Sequence, residues 1–232
     1  MRQIIALGGG GFSMEPDNPL LDRYILDQSQ KTRPKICFVP TASGDSDTYI
    51  ANFYRFFNEQ DCEPSHLSLF KPPAQDLEAF VLEKDIIYVG GGNTKNLLVL
   101  WREWGLDAIL RKAWEQGVVL AGISAGSLCW FEDGVTDSYG EQLEPIRSLG
   151  FLEGSNCPHY DGEMDRRPVY QRLIAAGTIK GGMAADDGTA LHYVGQDIHR
   201  IVSSRPDAHA YRVLFDGHIQ EEKLQAEFLG PK

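Results

Sequence analysis

No apolar run in the sequence approaches the ~18 residues that a membrane-spanning helix needs, so no membrane span is expected. The opening Met1-Arg2-Gln3 leads into only Ile4-Ile5-Ala6-Leu7 before four glycines, too short an apolar stretch for a signal peptide. Cysteine is scarce: Cys37, Cys62, Cys129 and Cys157 stand far apart, with no C-x-x-C pair and no Cys/His spacing of the zinc-binding kind. Reduced thiols in a cytoplasmic protein, with no metal and no cofactor, are the expectation. Basic clusters are missing as well. With 22 Lys and Arg against 33 Asp and Glu, the net charge of −11 repels phosphates and anionic headgroups, so neither nucleic acid nor a membrane is expected as a partner.

Composition is that of an ordinary globular protein, 42% apolar and 24% charged, which sets aside wholesale disorder. The length of 232 residues fits one domain, 1–232, with a full core and is short for two. Short apolar runs followed by a glycine or polar loop and a helix-like stretch recur through the first half, the βα rhythm of a parallel sheet. Strands are predicted at 4–7, 35–40, 64–70, 86–89 and 118–121. They are rich in Ile, Val and Leu without polar alternation, as in strands covered on both faces. Helices are predicted near 19–30, 47–58, 76–82 and 93–116. The last is two helices or one broken at Gly105, with Leu97, Leu98, Trp101, Leu106, Ile109, Leu110 and Trp114 as core residues. After that the pattern changes. Strands at 179–184, 189–194, 198–202 and 212–215, separated by Asp-Gly and Gly-Gln-Asp turns, read as a mixed or antiparallel edge, with one helix at 165–175 and a frayed tail ending Gly230-Pro231-Lys232. The fold class is α/β: a doubly wound, mostly parallel sheet flanked by helices, with a short-stranded mixed edge in the C-terminal third.

The strongest chemical signal is Gly122-Ile123-Ser124-Ala125-Gly126, directly after the strand Val118-Val119-Leu120-Ala121 and before Ser127-Leu128. Strand, tight turn and helix is the context that a G-x-S-x-G nucleophile elbow requires. Glycines around the serine avoid collisions of a strained turn with neighbouring strands. Ser124 then points into the cleft at the strand ends, and the Ala125 N–H at the helix start faces an oxyanion. A second strand-to-helix turn, Val89-Gly90-Gly91-Gly92-Asn93-Thr94, brings backbone N–H groups close to a ligand and offers another oxyanion donor; Asn93 or Thr94 caps the following helix. Gly8 to Gly11 forms a similar loop but fits neither the dinucleotide fingerprint nor a P-loop.

A serine hydroxyl needs a base to take its proton, and the base needs a carboxylate to orient it. Of six histidines, His159 in Asn156-Cys157-Pro158-His159-Tyr160 is presented by a proline-fixed loop, whereas His192, His199, His209 and His218 lie in the turn-rich C-terminal third. For the acid, Asp186-Asp187-Gly188 follows a strand and ends in a turn, so that one carboxylate faces the cleft and the other solvent. Asp137 is the rival.

Together, the 90–94 loop, the 122–126 elbow and the 156–160 segment resemble the S51 serine peptidases, the family of the aspartyl dipeptidase peptidase E and of cyanophycinase. The resemblance spans most of the chain, with the motifs in the family's order. It implies the fold of class I glutamine amidotransferases with serine in place of the elbow cysteine. It further implies Ser124 as nucleophile, His159 as general base, and Gly91, Gly92 and Ala125 as the oxyanion hole, with Asn93 beside them. The acid is Asp187 or Asp137, with Asp187 favoured because a strand end is held more rigidly than a loop. A small peptide is the implied substrate, including dipeptides with N-terminal Asp. Arg166 or Arg167 stands near the place of a substrate-binding arginine, at a spacing that departs from the family's. The chain is expected as a monomer or homodimer. Two other readings compete. An α/β-hydrolase esterase shares the elbow but needs a histidine after the last strand, His209 or His218. A catalytically silent binding domain keeps the fold with Ser124 as a turn residue.

Overall fold

The computed structural model of the chain describes residues 1–71, 76–140 and 142–231. Among these residues the chain forms two sheets. The first has the parallel strands β1 (Gln3–Leu7), β2 (Lys35–Val39), β3 (Glu63–His66), β4 (Ile86–Val89) and β5 (Val119–Ile123). They stand in the order β1-β5-β4-β2-β3, all neighbours parallel. The second sheet uses β6 (Phe131–Thr136), β7 (Glu144–Arg147), β8 (Leu152–Cys157) and β9 (Gly182–Ala185). Of the remaining strands, β10 (Thr189–Val194), β11 (Asp197–Ser203) and β14 (Glu227–Phe228) extend the first sheet beyond β1. The hairpin of β12 (His209–Phe215) and β13 (Ile219–Gln225) joins the second beside β9.

The mostly parallel sheet is thus present, and β10, β11 and β14 are its mixed edge. The sequence reading did not include the second sheet. Segments such as Glu144-Pro145-Ile146-Arg147 and Leu152-Glu153-Gly154-Ser155 carry too few β-branched or aromatic residues to read as strands, and tertiary pairing overrides that weak propensity. Two further boundaries move. The strand predicted at 64–70 stops at His66, and the one predicted at 179–184 begins only at Gly182. Pairing runs up to the predicted tail: Glu227 and Phe228 pair with β11, and the Leu229 N–H donates to the Ser203 carbonyl. Lys232 lies outside the described residues.

Among the described residues eight α-helices cover the sheets: α1 (Gly11–Met14), α2 (Leu20–Asp27), α3 (Asp47–Phe57), α4 (Leu77–Leu82), α5 (Thr94–Trp104), α6 (Leu106–Glu115), α7 (Ala125–Leu128) and α8 (Arg166–Ala175). Successive strand residues leave on opposite faces of the sheet. Ile4, Val39, Ile87 and Leu120 pack on the α5–α6 side against Leu97, Trp101, Leu110 and Trp114. Ile5, Phe38, Tyr88 and Val119 pack on the α2–α3 side against Leu21, Ile25, Phe53 and Phe57. Burial on both faces is why β1, β2, β4 and β5 read as apolar runs, whereas β3, at the sheet edge, is polar and half-buried. Gly105, at φ 66°, ends α5 and starts α6, the helix break expected from its place in the apolar pattern. Side-chain caps begin three helices: Ser46 accepts from Tyr49 N–H, Asp76 from Ala79 N–H and Asn93 from Asn96 N–H. A smaller third cluster packs α8, through Tyr170 and Ile174, on the second sheet.

Candidate functional site

Strand ends from both sheets converge. In the first sheet β1 and β5 run parallel with Leu7 opposite Ile123, so the loops that leave them start side by side, and the Ser124 N–H donates to the Leu7 carbonyl. In the second, β8 and β9 run parallel with Cys157 opposite Ala184. Two residues past Cys157 stands His159, and two past Ala185 stands Asp187. Parallel register therefore brings together two side chains 28 residues apart: His159 Nδ1 and Asp187 Oδ1 are 2.6 Å from each other. The His159 N–H donates to the Gly8 carbonyl, which ties the second sheet to the first at this point. The crevice beyond the carboxyl ends of parallel strands is where α/β folds place their sites.

Ser124 has φ 56° and ψ −112°, a left-handed backbone that a side chain rarely adopts. Its neighbours make the turn feasible. A Cβ at Gly122 would collide with the Gly126 carbonyl, and a Cβ at Gly126 with the Val89 carbonyl. α7 starts at Ala125, and the first N–H groups of a helix have no partner within it. Ser124 and His159 line one cleft of about 380 Å³ together with Gly91, Ile123, Ser13, Met14, Tyr49 and Asn52. No direct hydrogen bond joins Ser124 to the His159 ring, as is common for catalytic pairs without substrate. Because a carboxylate only accepts, the Asp187 bond fixes the proton on Nδ1 and leaves the Nε2 lone pair free.

The glycine quartet after β1, which fits no nucleotide motif, is what lets this pair form. A Cβ at Gly9 would fall on Asp187 Oδ1 and lie 3.2 Å from His159 Nδ1, and one at Gly162 would lie 2.5 Å from Asp187 Oδ2. The Gly188 N–H donates to the Gly9 carbonyl at 3.1 Å, and Asp161 accepts the Asp187 N–H at 2.8 Å. The sequence signal was a run of glycines at a strand end, which marks close approach without saying of what. The cleft-lining face of α3 was missed altogether, since Tyr49 and Asn52 read as ordinary amphipathic positions.

Other expectations need correction. Asp186 does not face solvent: it is buried, accepts the His209 N–H at 3.0 Å, and burial pushes its carboxyl up to about 6, with the charge of Asp161 adding to the shift. Asp137 is exposed beyond the end of β6, and among the described residues its carboxylate has no hydrogen-bond partner. Neither arginine lines the cleft. Arg166 is buried, donating to Glu163 and to the Val135 carbonyl, and so fastens α8 to β6. Arg167 pairs with Glu221 and lies over the rings of Tyr160 and Tyr211. Both guanidiniums are spent on the fold of the second sheet.

The proposed oxyanion donors are placed unequally. Gly91 is beside Ser124, since a Cβ there would lie 3.3 Å from Ser124 Cβ, and its N–H donates to the Tyr49 hydroxyl at 3.3 Å. Gly92, at φ 135°, packs its Cα against the Ala42 carbonyl and does not line the cleft. Asn93 caps α5 and donates through Nδ2 to the Ser138 carbonyl, a structural use that takes its side chain away from Ser124. The rival histidines are elsewhere. His209 sits in β12 and His218 in the exposed turn before β13. Among the described residues no group of His, Cys, Asp and Glu is placed to hold a metal ion, and no helix is long and apolar enough to cross a membrane.

A serine on a strained strand-to-helix elbow, sharing a cleft with a carboxylate-held histidine, defines a hydrolase-type site able to attack acyl groups. The chain belongs to peptidase family S51, whose profile matches residues 4–201. It is therefore a peptidase. The uncharacterized peptidase YgaJ of Bacillus subtilis is 63% identical over 231 residues, covering 99% of this chain and all of that one. Peptidase E of Shewanella denitrificans is 27% identical, with 88% and 86% of the two chains covered. The fold is shared with a peptidase from an acI-B1 actinobacterium at a TM-score of 0.71 and 18% identity, over 97% of this chain and 94% of that one. It is also shared with a putative peptidase E from Listeria monocytogenes at 0.63 and 15%, over 97% and 100%.

Proposed function

We propose that this peptidase is of the serine type and hydrolyses short peptides through an acyl-enzyme on Ser124. The observation that carries the reading is the 2.6 Å bond between His159 and Asp187 at the cleft that the positive-φ Ser124 also lines. His159 Nε2 takes the Ser124 proton as Oγ attacks the peptide carbonyl, and Asp187 stabilises the imidazolium that results. The oxyanion develops against the Ala125 N–H and against the Gly91 N–H, which exchanges its Tyr49 hydroxyl partner for the stronger acceptor. The protonated ring then gives its proton to the departing amine, and a water activated by the same nitrogen releases the acid.

The cleft lining is neutral, with hydroxyls of Ser13, Ser46, Thr48 and Tyr49 and the amide of Asn52, and holds no Lys or Arg. A preference for N-terminal Asp needs a cation there. Neutral residues therefore precede the scissile bond in this reading, and Asp-X dipeptides are weaker substrates. Four unpaired, buried cysteines support a reducing, cytoplasmic setting.

A fluorophosphonate probe tests the nucleophile, and a dipeptide panel with Asp-X, Glu-X and neutral members tests the substrate. Ser124 carries the label, Ser124→Ala loses it together with at least about 10⁴-fold in turnover, and the far-UV spectrum is unchanged. Absence of label on folded protein, or label on another residue, rejects the serine mechanism.

A further inference from the structure

The Ser124 cleft does not end at Asn52. A second cavity of about 410 Å³ opens beyond it, walled by Phe12, Pro16 and Phe56 and carrying Asp17, Arg55 and Glu59. Ser13 and Asn52 line both cavities, so the two adjoin along α3 in a two-part trough. One face of α3 runs along it: Tyr49 and Asn52 line the Ser124 end, and Arg55 and Phe56, three and four residues past Asn52, line the far end. From Tyr49 to Arg55 the helix advances about 9 Å at about 1.5 Å per residue. An extended peptide covers about 3.3–3.6 Å per residue, so two or three residues span that stretch of α3.

Arg55 is exposed and forms no ion pair among the described residues. Arg166, Arg167, Arg200, Arg205 and Arg212 are each held by a glutamate, and of the arginines that are not, Arg55 is the one that lines the cavity next to the Ser124 cleft. In a chain with 33 acids and 22 bases, a guanidinium left without a carboxylate at the end of a substrate trough is available to an incoming one.

We propose that the second cavity is a peptide subsite in which Arg55 binds a carboxylate carried two or three residues from the scissile bond, while the half-buried Phe56 packs against the side chain between. This rests on Ser124 being the nucleophile. Asp17 and Glu59 on the same rim oppose a second negative charge, so the subsite takes a single carboxylate and rejects a polyanion. The carboxylate is either the peptide's C-terminus or an Asp or Glu side chain.

Short peptides as free acids and as C-terminal amides, each in Asp and Asn versions, separate the two sources. The unsubstituted enzyme shows a KM lower for the carboxylate form by on the order of tenfold. Arg55→Met brings that ratio to near one with kcat for the acid retained, and Arg55→Lys restores part of it. A ratio that follows the terminus assigns the subsite to the C-terminal carboxylate, and one that follows Asp against Asn assigns it to a side chain. Equal ratios in the unsubstituted and Arg55→Met enzymes overturn the proposal. The same four peptides titrated calorimetrically into Ser124→Ala keep the test independent of turnover. An acid-over-amide or Asp-over-Asn difference that Arg55→Met abolishes sustains the subsite even where the probe fails to label Ser124. Absence of such a difference, or of binding by any of the four, refutes it.

Discussion

Asp187→Asn isolates the role assigned to the acid. In the native pair, the side chains of His159 and Asp187 are only 12% and 14% exposed, so water screens their interaction weakly. An imidazolium and a carboxylate with charge centres about 4 Å apart attract by about 4 kcal/mol at an effective dielectric constant near 20. That attraction is absent before the proton moves and present afterwards, so it acts on the transition state, where about 4 kcal/mol is close to a thousandfold in rate. Asparagine also offers Nδ1 an amide N–H as readily as a carbonyl. The ring can then settle with its proton on Nε2, where it no longer accepts from Ser124, and this costs roughly another factor of ten. The expected loss in kcat/KM is about 10⁴-fold. Stability should hardly change, because the backbone bond from Asp187 N–H to Asp161 survives and a repulsion between neighbouring carboxylates is relieved. The assay is turnover of the best neutral dipeptide, with thermal melts of both proteins. Asp137→Asn is the matched control and stays within about threefold, since Asp137 is exposed and away from the ring. Less than a tenfold loss for Asp187→Asn at an unchanged melting temperature, or a larger loss for Asp137→Asn, refutes the assignment.

Two further outcomes follow from groups around the site. Gly9→Ala places a methyl on Asp187 Oδ1 and against His159 Nδ1; it should separate the pair and cut activity by at least about 100-fold, and an alanine variant of normal activity would show that the β1 loop does not hold the acid. Asp22 is wholly buried next to the Tyr88 hydroxyl, and burial raises its carboxyl to about 8 against an ordinary 3.8. Between those values the folded chain keeps a proton that the unfolded chain has lost, so this group's contribution is complete below about pH 4 and disappears as pH rises to about 8. Asp186, raised to about 6, acts in the same direction, and His192, lowered to about 4 by burial, acts in the opposite one. Urea unfolding at pH 5 and pH 8 should show Asp22→Asn gaining stability on the unsubstituted chain by several kcal/mol as pH rises, and parallel pH dependences for the two proteins would contradict a protonated Asp22.

Local chemistry was legible in the sequence wherever a segment carries its own geometry. Val118 to Ser127 spells strand, glycine-flanked turn and helix within ten residues, and no distant contact is needed to bend it. The parallel strands β1, β2, β4 and β5 announced themselves because both faces are buried and nearly every position is apolar, while β3, Glu63-Pro64-Ser65-His66 at the sheet edge, is neither. Gly105 marked the helix break because only a left-handed residue joins α5 to α6 that tightly. What the sequence left open is everything that depends on which strand lies beside which. Asp187 was favoured over Asp137 only by its place at a strand end; the pairing of β8 with β9 puts it against His159 and leaves Asp137 in solvent. Arg166 and Arg167 looked free because the Val135 carbonyl and Glu221 reach them only in the folded second sheet. The four glycines after β1 had no visible purpose until two sheets met there. The strain at Ser124 is written in its neighbours along the chain, whereas the His159–Asp187 pair and the cavities beside it are set by register and packing between elements far apart in sequence, which composition and periodicity do not encode.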